Sequence, residues 1–154
     1  MSGFNVDLSE LAGLVASVRK FGAVVQDEVA MAGVAAGARV LYVRAKTLAP
    51  MSDKVHTFYG RNSKKSGVTY TFAPGNLRNA IFRAFQPEKS GPTNKSYRIS
   101  WNHIKAPYGH MVEFGTSKAS AHSFIGASLS ELPEAYRYAK IAMADQLLEI
   151  GGRR

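Results

Sequence analysis

The chain has 154 residues, of which 45% are hydrophobic and 20% charged, with a net charge of +9. That is enough for one folded domain, residues 1–154, with a core of its own, and it argues against wholesale disorder. The absence of cysteine excludes disulfide frameworks and thiolate zinc sites, and no apolar run or charged leader points to a membrane span or signal peptide, so the expected compartment is the cytoplasm.

The charge is unevenly spread. Between Arg39 and Lys105 there are 13 Lys and Arg against two acids, Asp53 and Glu88, while the rest of the chain has seven basic and nine acidic residues. A basic middle between near-neutral flanks fits proximity to a polyanion, nucleic acid first. Its structural counterpart is a solvated, lysine-rich loop region.

In chain order, residues 4–21 read as an amphipathic helix, with Leu8, Leu11, Leu14 or Val15, and Val18 recurring every three or four positions. Asp7 or Ser9 suits its start, Arg19 and Lys20 its last turn, and Gly22 its stop. A longer helix is expected over 24–48, with Met31, Val34, Ala38, Leu41, Ala45 and Leu48 on one stripe. Gly33 and Gly37 lie inside it, where glycine costs about 1 kcal/mol relative to alanine; a close helix or sheet contact would explain them. Pro50 ends the helix, because the residue before a proline avoids the helical region.

Residues 51–73 carry Lys54, Arg61, Lys64 and Lys65. Two short strands, 55–59 and 67–72, are expected around a basic turn, making an exposed hairpin. After a turn at Pro74 and Gly75, a short helix over 76–80 precedes strands at 81–86 and 96–102, a second antiparallel hairpin. Residues 108–114 read as a further strand running into a glycine turn at Gly115, with Met111 or Val112 and Phe114 in the core. A last helix starts near Ser123 or Ser130 and ends near Ile150. Ser128 and Glu131 have capping-box spacing, and Leu132, Tyr136, Ala139, Met143, Leu147 and Ile150 form its expected buried stripe. Gly151 and Gly152 stop it ahead of a basic tail, Arg153 and Arg154. The fold class is α+β: an antiparallel sheet of about four strands packed against a long helix of the N-terminal half and a C-terminal helix.

Chemistry is sparse. His103, His110 and His122 fall close together in sequence, near Asn102 and Glu113, but match no compact ligand spacing. On a regular strand His110 and Glu113 would point oppositely, so neither a metal nor a catalytic use is assigned. Glu113 reads as an outward or interface carboxylate paired with a basic group. Tyr97, Trp101 and Tyr108 could stack on bases, or pack in a core as alternating strand aromatics do. No phosphate-cradling glycine loop or nucleophile elbow is present, and no cofactor is expected.

The combination of KTLAP at a helix end, GNLRNAI, and YGHMVEFGTSKASAHSFIGASL resembles the neck, or head–tail joining, proteins of long-tailed bacteriophages. This is the tail-completion, or minor-tail, family typified by gene product ten of phage HK-ninety-seven. The matching residues are Ala49 and Pro50, Gly75 to Arg78, Tyr108, Val112 to Thr116, and Phe124, within a resemblance spanning 34–147. The chain departs from the family by interposing the basic residues 51–73 and by placing Ser123 where the family has proline. The resemblance implies a non-enzymatic virion protein, a neck subunit at the junction of the DNA-filled head and the tail, made in the host cytoplasm. Its implied partners are copies of itself in a ring, neighbouring head-closure, connector and tail-terminator or tail-tube proteins, and passing genomic DNA without sequence preference; no membrane is implied. Glu113, Phe114, Gly115 and Thr116 are the expected subunit contact, and Lys54, Arg61, Lys64 and Lys65 the expected contact to DNA or an acidic neighbour. The alternative function is a stand-alone basic nucleic-acid-binding protein with weak metal-dependent nuclease activity.

Overall fold

A computed structural model describes residues 9–59, 63–92 and 94–152. Asp7, Leu8, Arg61, Arg153 and Arg154 lie outside the described residues, as do the side chains of Ser9, Leu11, Leu14 and Val15, whereas Val18, the last of the expected stripe, is 62% exposed. The fold is α+β, and two long helices frame it: α1, Ser9–Leu48, and α6, Leu132–Gly152. Between them run β1, His56–Tyr59; α2, Ser63–Ser66; β2, Thr69–Phe72; α3, Asn76–Ala80; β3, Ile81–Phe85; β4, Tyr97–Trp101; α4, Gly109–Phe114; and α5, Ile125–Ser128. Short 3-10 turns cover Pro87–Lys89 and Leu129–Glu131. Among the described residues no helix is long and apolar enough to cross a membrane.

The two N-terminal helices expected from sequence are one. Gly22 does not stop α1; a side chain there would meet open space, and one flexible residue costs too little to break a helix held by packing further along. Gly33 and Gly37 do mark a close helix contact. A Cβ on Gly33 would lie 2.5 Å from Met143 Cγ, and one on Gly37 would lie 3.3 Å from the Ala135 carbonyl oxygen. Gln146 of α6 also donates to Glu28 of α1 at 3.4 Å, and Arg44 pairs with Glu131 at 3.4 Å. The small side chains thus let α6 lie against α1.

The expected stripe of α6 holds in part: Ala139 and Met143 face Gly37 and Gly33 of α1. Ala135 is buried, but Tyr136 is 65% and Leu147 50% exposed. Glycine and alanine line the closest approach of the two backbones, with Met143 over Gly33, and Tyr136 and Leu147 fall to the flanks. The Ser128–Glu131 capping box also does not form. Ser128 Oγ donates to the Ile125 carbonyl at 2.6 Å, and Glu131 is taken by Arg44.

The four strands form two separate two-stranded antiparallel sheets rather than one sheet. In the first, His56 lies opposite Phe72 and Tyr59 opposite Thr69; in the second, Ile81 lies opposite Trp101 and Phe85 opposite Tyr97. The β3–β4 pair lies on α1, with Arg83 donating to the Ala35 carbonyl at 2.8 Å and Tyr97 reaching Met31 Sδ at 3.9 Å. Lys95, with its side chain largely buried, pairs with Asp27. The β1–β2 pair projects, with most of its residues exposed. Four-residue strands in a lone pair carry little stability by themselves.

One small core joins these parts. Ala49, Leu77, Ala80, Ile81, Ala106 and Phe124 are buried together, and Tyr42, Ile99, Trp101, Tyr108 and Val112 pack around them. Trp101 meets Phe124 edge-on, with ring centroids 5.7 Å apart. Gly109 is required beneath this pair, since a Cβ would fall 2.3 Å from Trp101 Nε1.

Candidate functional site

The strongest local construction surrounds Glu113. Residues 108–114 do not form the expected strand: Gly109–Phe114 is helical, and Val112 N donates to the Tyr108 carbonyl at 3.2 Å. The alternation of apolar residues there is short enough to fit either period. Close approach at Gly109 and the reach of Glu113 favour the helix. Glu113, expected to face outward, is 6% exposed. Its Oε2 accepts the N–H of Phe124 at 2.8 Å and of Ile125 at 3.0 Å. Its Oε1 accepts the N–H of Gly126 and the Ser123 hydroxyl, both at 2.8 Å. A carboxylate from one helix therefore satisfies the orphan N–H groups that open the next.

Burial alone would raise the Glu113 pKa, and it is the largest single influence. The hydrogen bonds from Gly126, Ile125, Phe124 and Ser123 together outweigh it and hold the carboxyl below its ordinary value. Glu113 is thus charged at neutral pH and fully engaged within its own chain.

Ser123, where the resembled family has proline, contributes a second bond. Besides donating to Glu113, its hydroxyl accepts the N–H of Ala127 at 3.2 Å. A proline would preset the backbone entering α5; here a serine bridge does so through hydrogen bonds.

Phe114, expected in the core, is 76% exposed. Gly115 follows with φ 76° and ψ −177°, a region only glycine enters freely. A Cβ there would lie 2.8 Å from the Ala121 N. Beyond it Thr116 N donates to the Ala119 carbonyl at 2.8 Å, and His122 N returns to the Val112 carbonyl at 2.7 Å. The loop between Gly115 and Ser123 is therefore closed at its base, with Phe114 presented beside it. Of the four expected contact residues, Glu113 is inward, Gly115 shapes the turn, and Phe114 and Thr116 are exposed.

The other residues that carry the resemblance converge here. Arg78 donates to the Ala49 carbonyl at 2.9 Å and the Thr47 carbonyl at 3.5 Å, capping the C-terminus of α1 with a cation. Asn76 donates to the Lys105 carbonyl at 2.7 Å and to the Tyr108 hydroxyl at 3.3 Å. Gly75, at φ 73°, makes the turn that precedes them. The sequence by itself assigns Asn76 and Arg78 no role of their own; an amide and a guanidinium beside a leucine in a tight turn are the signal it offers.

Lys54, Lys64 and Lys65 are all exposed on the projecting β1–β2 unit. Lys64 and Lys65 lie in α2, a short helix within the expected basic turn. Between this unit and the body lies a half-open cleft of about 440 Å3, lined by Met51, Phe72, Leu77 and Val112, with Ser52, His56, Asn76 and Tyr108 among its polar groups.

The histidines do not assemble. His103, His110 and His122 are each exposed, and His110 Nδ1 meets the Pro107 carbonyl at 2.9 Å. Among the described residues no group of three or more His, Asp or Glu side chains is placed to hold a metal ion. The aromatics considered for base stacking pack internally: Tyr97 on Phe85, Tyr108 on Phe72 and Trp101 on Phe124.

Comparison with protein-family models, with curated proteins and with solved structures returned no match for this chain.

Proposed function

We propose that the chain is a structural, non-enzymatic neck subunit of a tailed bacteriophage virion, acting where the DNA-filled head meets the tail and repeated around that junction as a ring. The observation carrying this reading is a convergence. Ala49, Gly75 to Arg78, Tyr108, Val112, Glu113 and Phe124 are scattered along the sequence and carry the resemblance. They meet as one hydrogen-bonded and packed unit. Motif residues that cooperate physically are a stronger basis for a resemblance than the same letters at unrelated places.

The reading assigns neighbouring head-closure, connector, tail-terminator or tail-tube proteins as partners, with the exposed lysines of the β1–β2 unit turned toward passing DNA or an acidic neighbour. Gold-labelled antibody against this chain, viewed on purified particles, tests it. Label at the head–tail junction is the expected result; particles that carry no label anywhere would overturn the reading. The same exposed lysines support a second reading, a stand-alone basic nucleic-acid-binding protein. Tight binding of the free subunit to duplex DNA at physiological salt would favour that one.

A further inference from the structure

The strands of the projecting β1–β2 unit read HTFY and TYTF. Half of these residues are aromatic, three are threonine, and none is aliphatic or acidic. No Asp or Glu lies between Asp53 and Glu88, a stretch that opens on Lys54 and holds Arg61, Lys64 and Lys65. Lys54, Lys64 and Lys65 enter no ion pair among the described residues. Their charge is uncompensated within the chain and free to meet a polyanion.

The rings form a row between these cations. Tyr70 and Phe72 share one face of β2, with planes within 6° of parallel and centroids 6.4 Å apart. Phe72 rests on Tyr108 at 5.0 Å, which ties the inner end of the row to the body, and Tyr70, 48% exposed, continues it into solvent. Lys54 lies just ahead of β1, and Lys64 and Lys65 lie in α2 at the far end, so basic groups bracket the row. Tyr59, opposite Thr69, stands on the other face and is 68% exposed. Lysines alone suit any acidic surface, but exposed rings choose among polyanions. A duplex covers the faces of its bases with their neighbours. A single strand leaves them open to stack on an aromatic ring whatever the base. An acidic polypeptide supplies the charge without the flat faces.

We propose that the β1–β2 unit binds single-stranded nucleic acid, with a base stacked on the Tyr70–Phe72 row and phosphates against Lys54, Lys64 and Lys65. This rests on the reading of these lysines as a polyanion contact, names that polyanion, and is independent of the neck setting.

Fluorescence anisotropy of a labelled oligothymidine of about 20 nucleotides, and of a duplex of the same length, titrated with the full chain over a salt series, gives the readout. The single strand is expected to bind at least about tenfold more tightly than the duplex. Tyr70→Leu keeps the bulk without the ring and is expected to weaken that binding about tenfold at an unchanged salt slope, whereas Tyr70→Phe binds like wild type. Changing Lys54, Lys64 and Lys65 together to alanine lowers the slope by up to about two. Tyr59→Leu, on the opposite face, stays within about twofold of wild type. A duplex bound as tightly as the single strand, a Tyr70→Leu chain that binds like wild type, or an equal loss from Tyr59→Leu would each overturn the proposal. Tyr70→Val repeats the experiment should Tyr70→Leu fail to fold. If the single strand is not bound while label still decorates the head–tail junction, this surface falls and the neck reading stands.

Discussion

The Glu113 carboxylate of α4 accepts the backbone N–H of Gly126 at 2.8 Å, and with its three companion bonds it fixes where α5 begins. A single side chain thereby replaces the capping box that the sequence offers further on at Ser128. It also couples two neighbouring elements, so that the loop between them cannot shift without breaking charge-assisted bonds.

Glu113→Ala is therefore expected to cost about 3 kcal/mol, because it strands donors that include the buried Phe124 N–H. Glu113→Gln keeps the shape but offers one accepting oxygen instead of two, and is expected to cost about 1–2 kcal/mol. The pH dependence has a definite sign. The folded carboxyl titrates below its ordinary value, so its stabilisation is complete above the unfolded glutamate pKa of about 4.3 and is lost as pH falls through the folded value. Urea denaturation from pH 7 down to 3 should show that loss in the wild type and a shallower one in Glu113→Gln; parallel curves would exclude the role.

Gly109→Ala tests the packing on the other side of α4. A helix normally gains about 1 kcal/mol from this exchange, but here the new methyl enters the space of the Trp101 ring. Overpacking of about 1–3 kcal/mol dominates, and a net loss near 1 kcal/mol is expected. Trp101 is the only tryptophan, so its fluorescence should shift in the variant, whereas an unchanged spectrum with raised stability would contradict the geometry.

The glycines of α1 give opposite expectations. Gly22 meets nothing, so Gly22→Ala should stabilise by roughly 1 kcal/mol in thermal or urea melts. Gly37 faces the backbone of Ala135, which cannot swing aside as a flexible side chain can. Gly37→Val should destabilise by about 2 kcal/mol and loosen α6. Equal effects at the two positions would show that the α1–α6 contact is not where the structure puts it.

Much of this was legible from sequence wherever one local rule acts alone. Pro50 stops α1, the glycine pair marks the close helix contact, and the hairpins at residues 56–72 and 81–101 follow from turn chemistry and alternation. The misreadings share a cause: a long-range partner outvoted a local signal. Gly22 looks like a helix stop only if nothing holds the helix beyond it. Residues 108–114 alternate like a strand, yet Trp101 needs Gly109 against its face and the N–H groups of residues 124–126 need a carboxylate. Apolarity alone places Phe114 in the core, whereas on its side of α4 it is 76% exposed. Ser128 had capping spacing, but the true cap came from Glu113, which no spacing rule within α5 could disclose.

The exposed lysines carry the last expectation. Lys54, Lys64 and Lys65 project from a unit that is tied to the body mainly through Phe72 on Tyr108, at 5.0 Å between centroids, so their replacement should leave folding intact. With Arg61 they are proposed to face DNA or an acidic neighbour, and such attraction weakens as salt rises. Changing all four to alanine should leave the melting temperature within a few degrees while lowering the yield of complete particles. It should also flatten the dependence of subunit association with DNA on salt, by up to about four counterions in slope. Normal particle yield from the quadruple variant would show that these charges serve solubility alone.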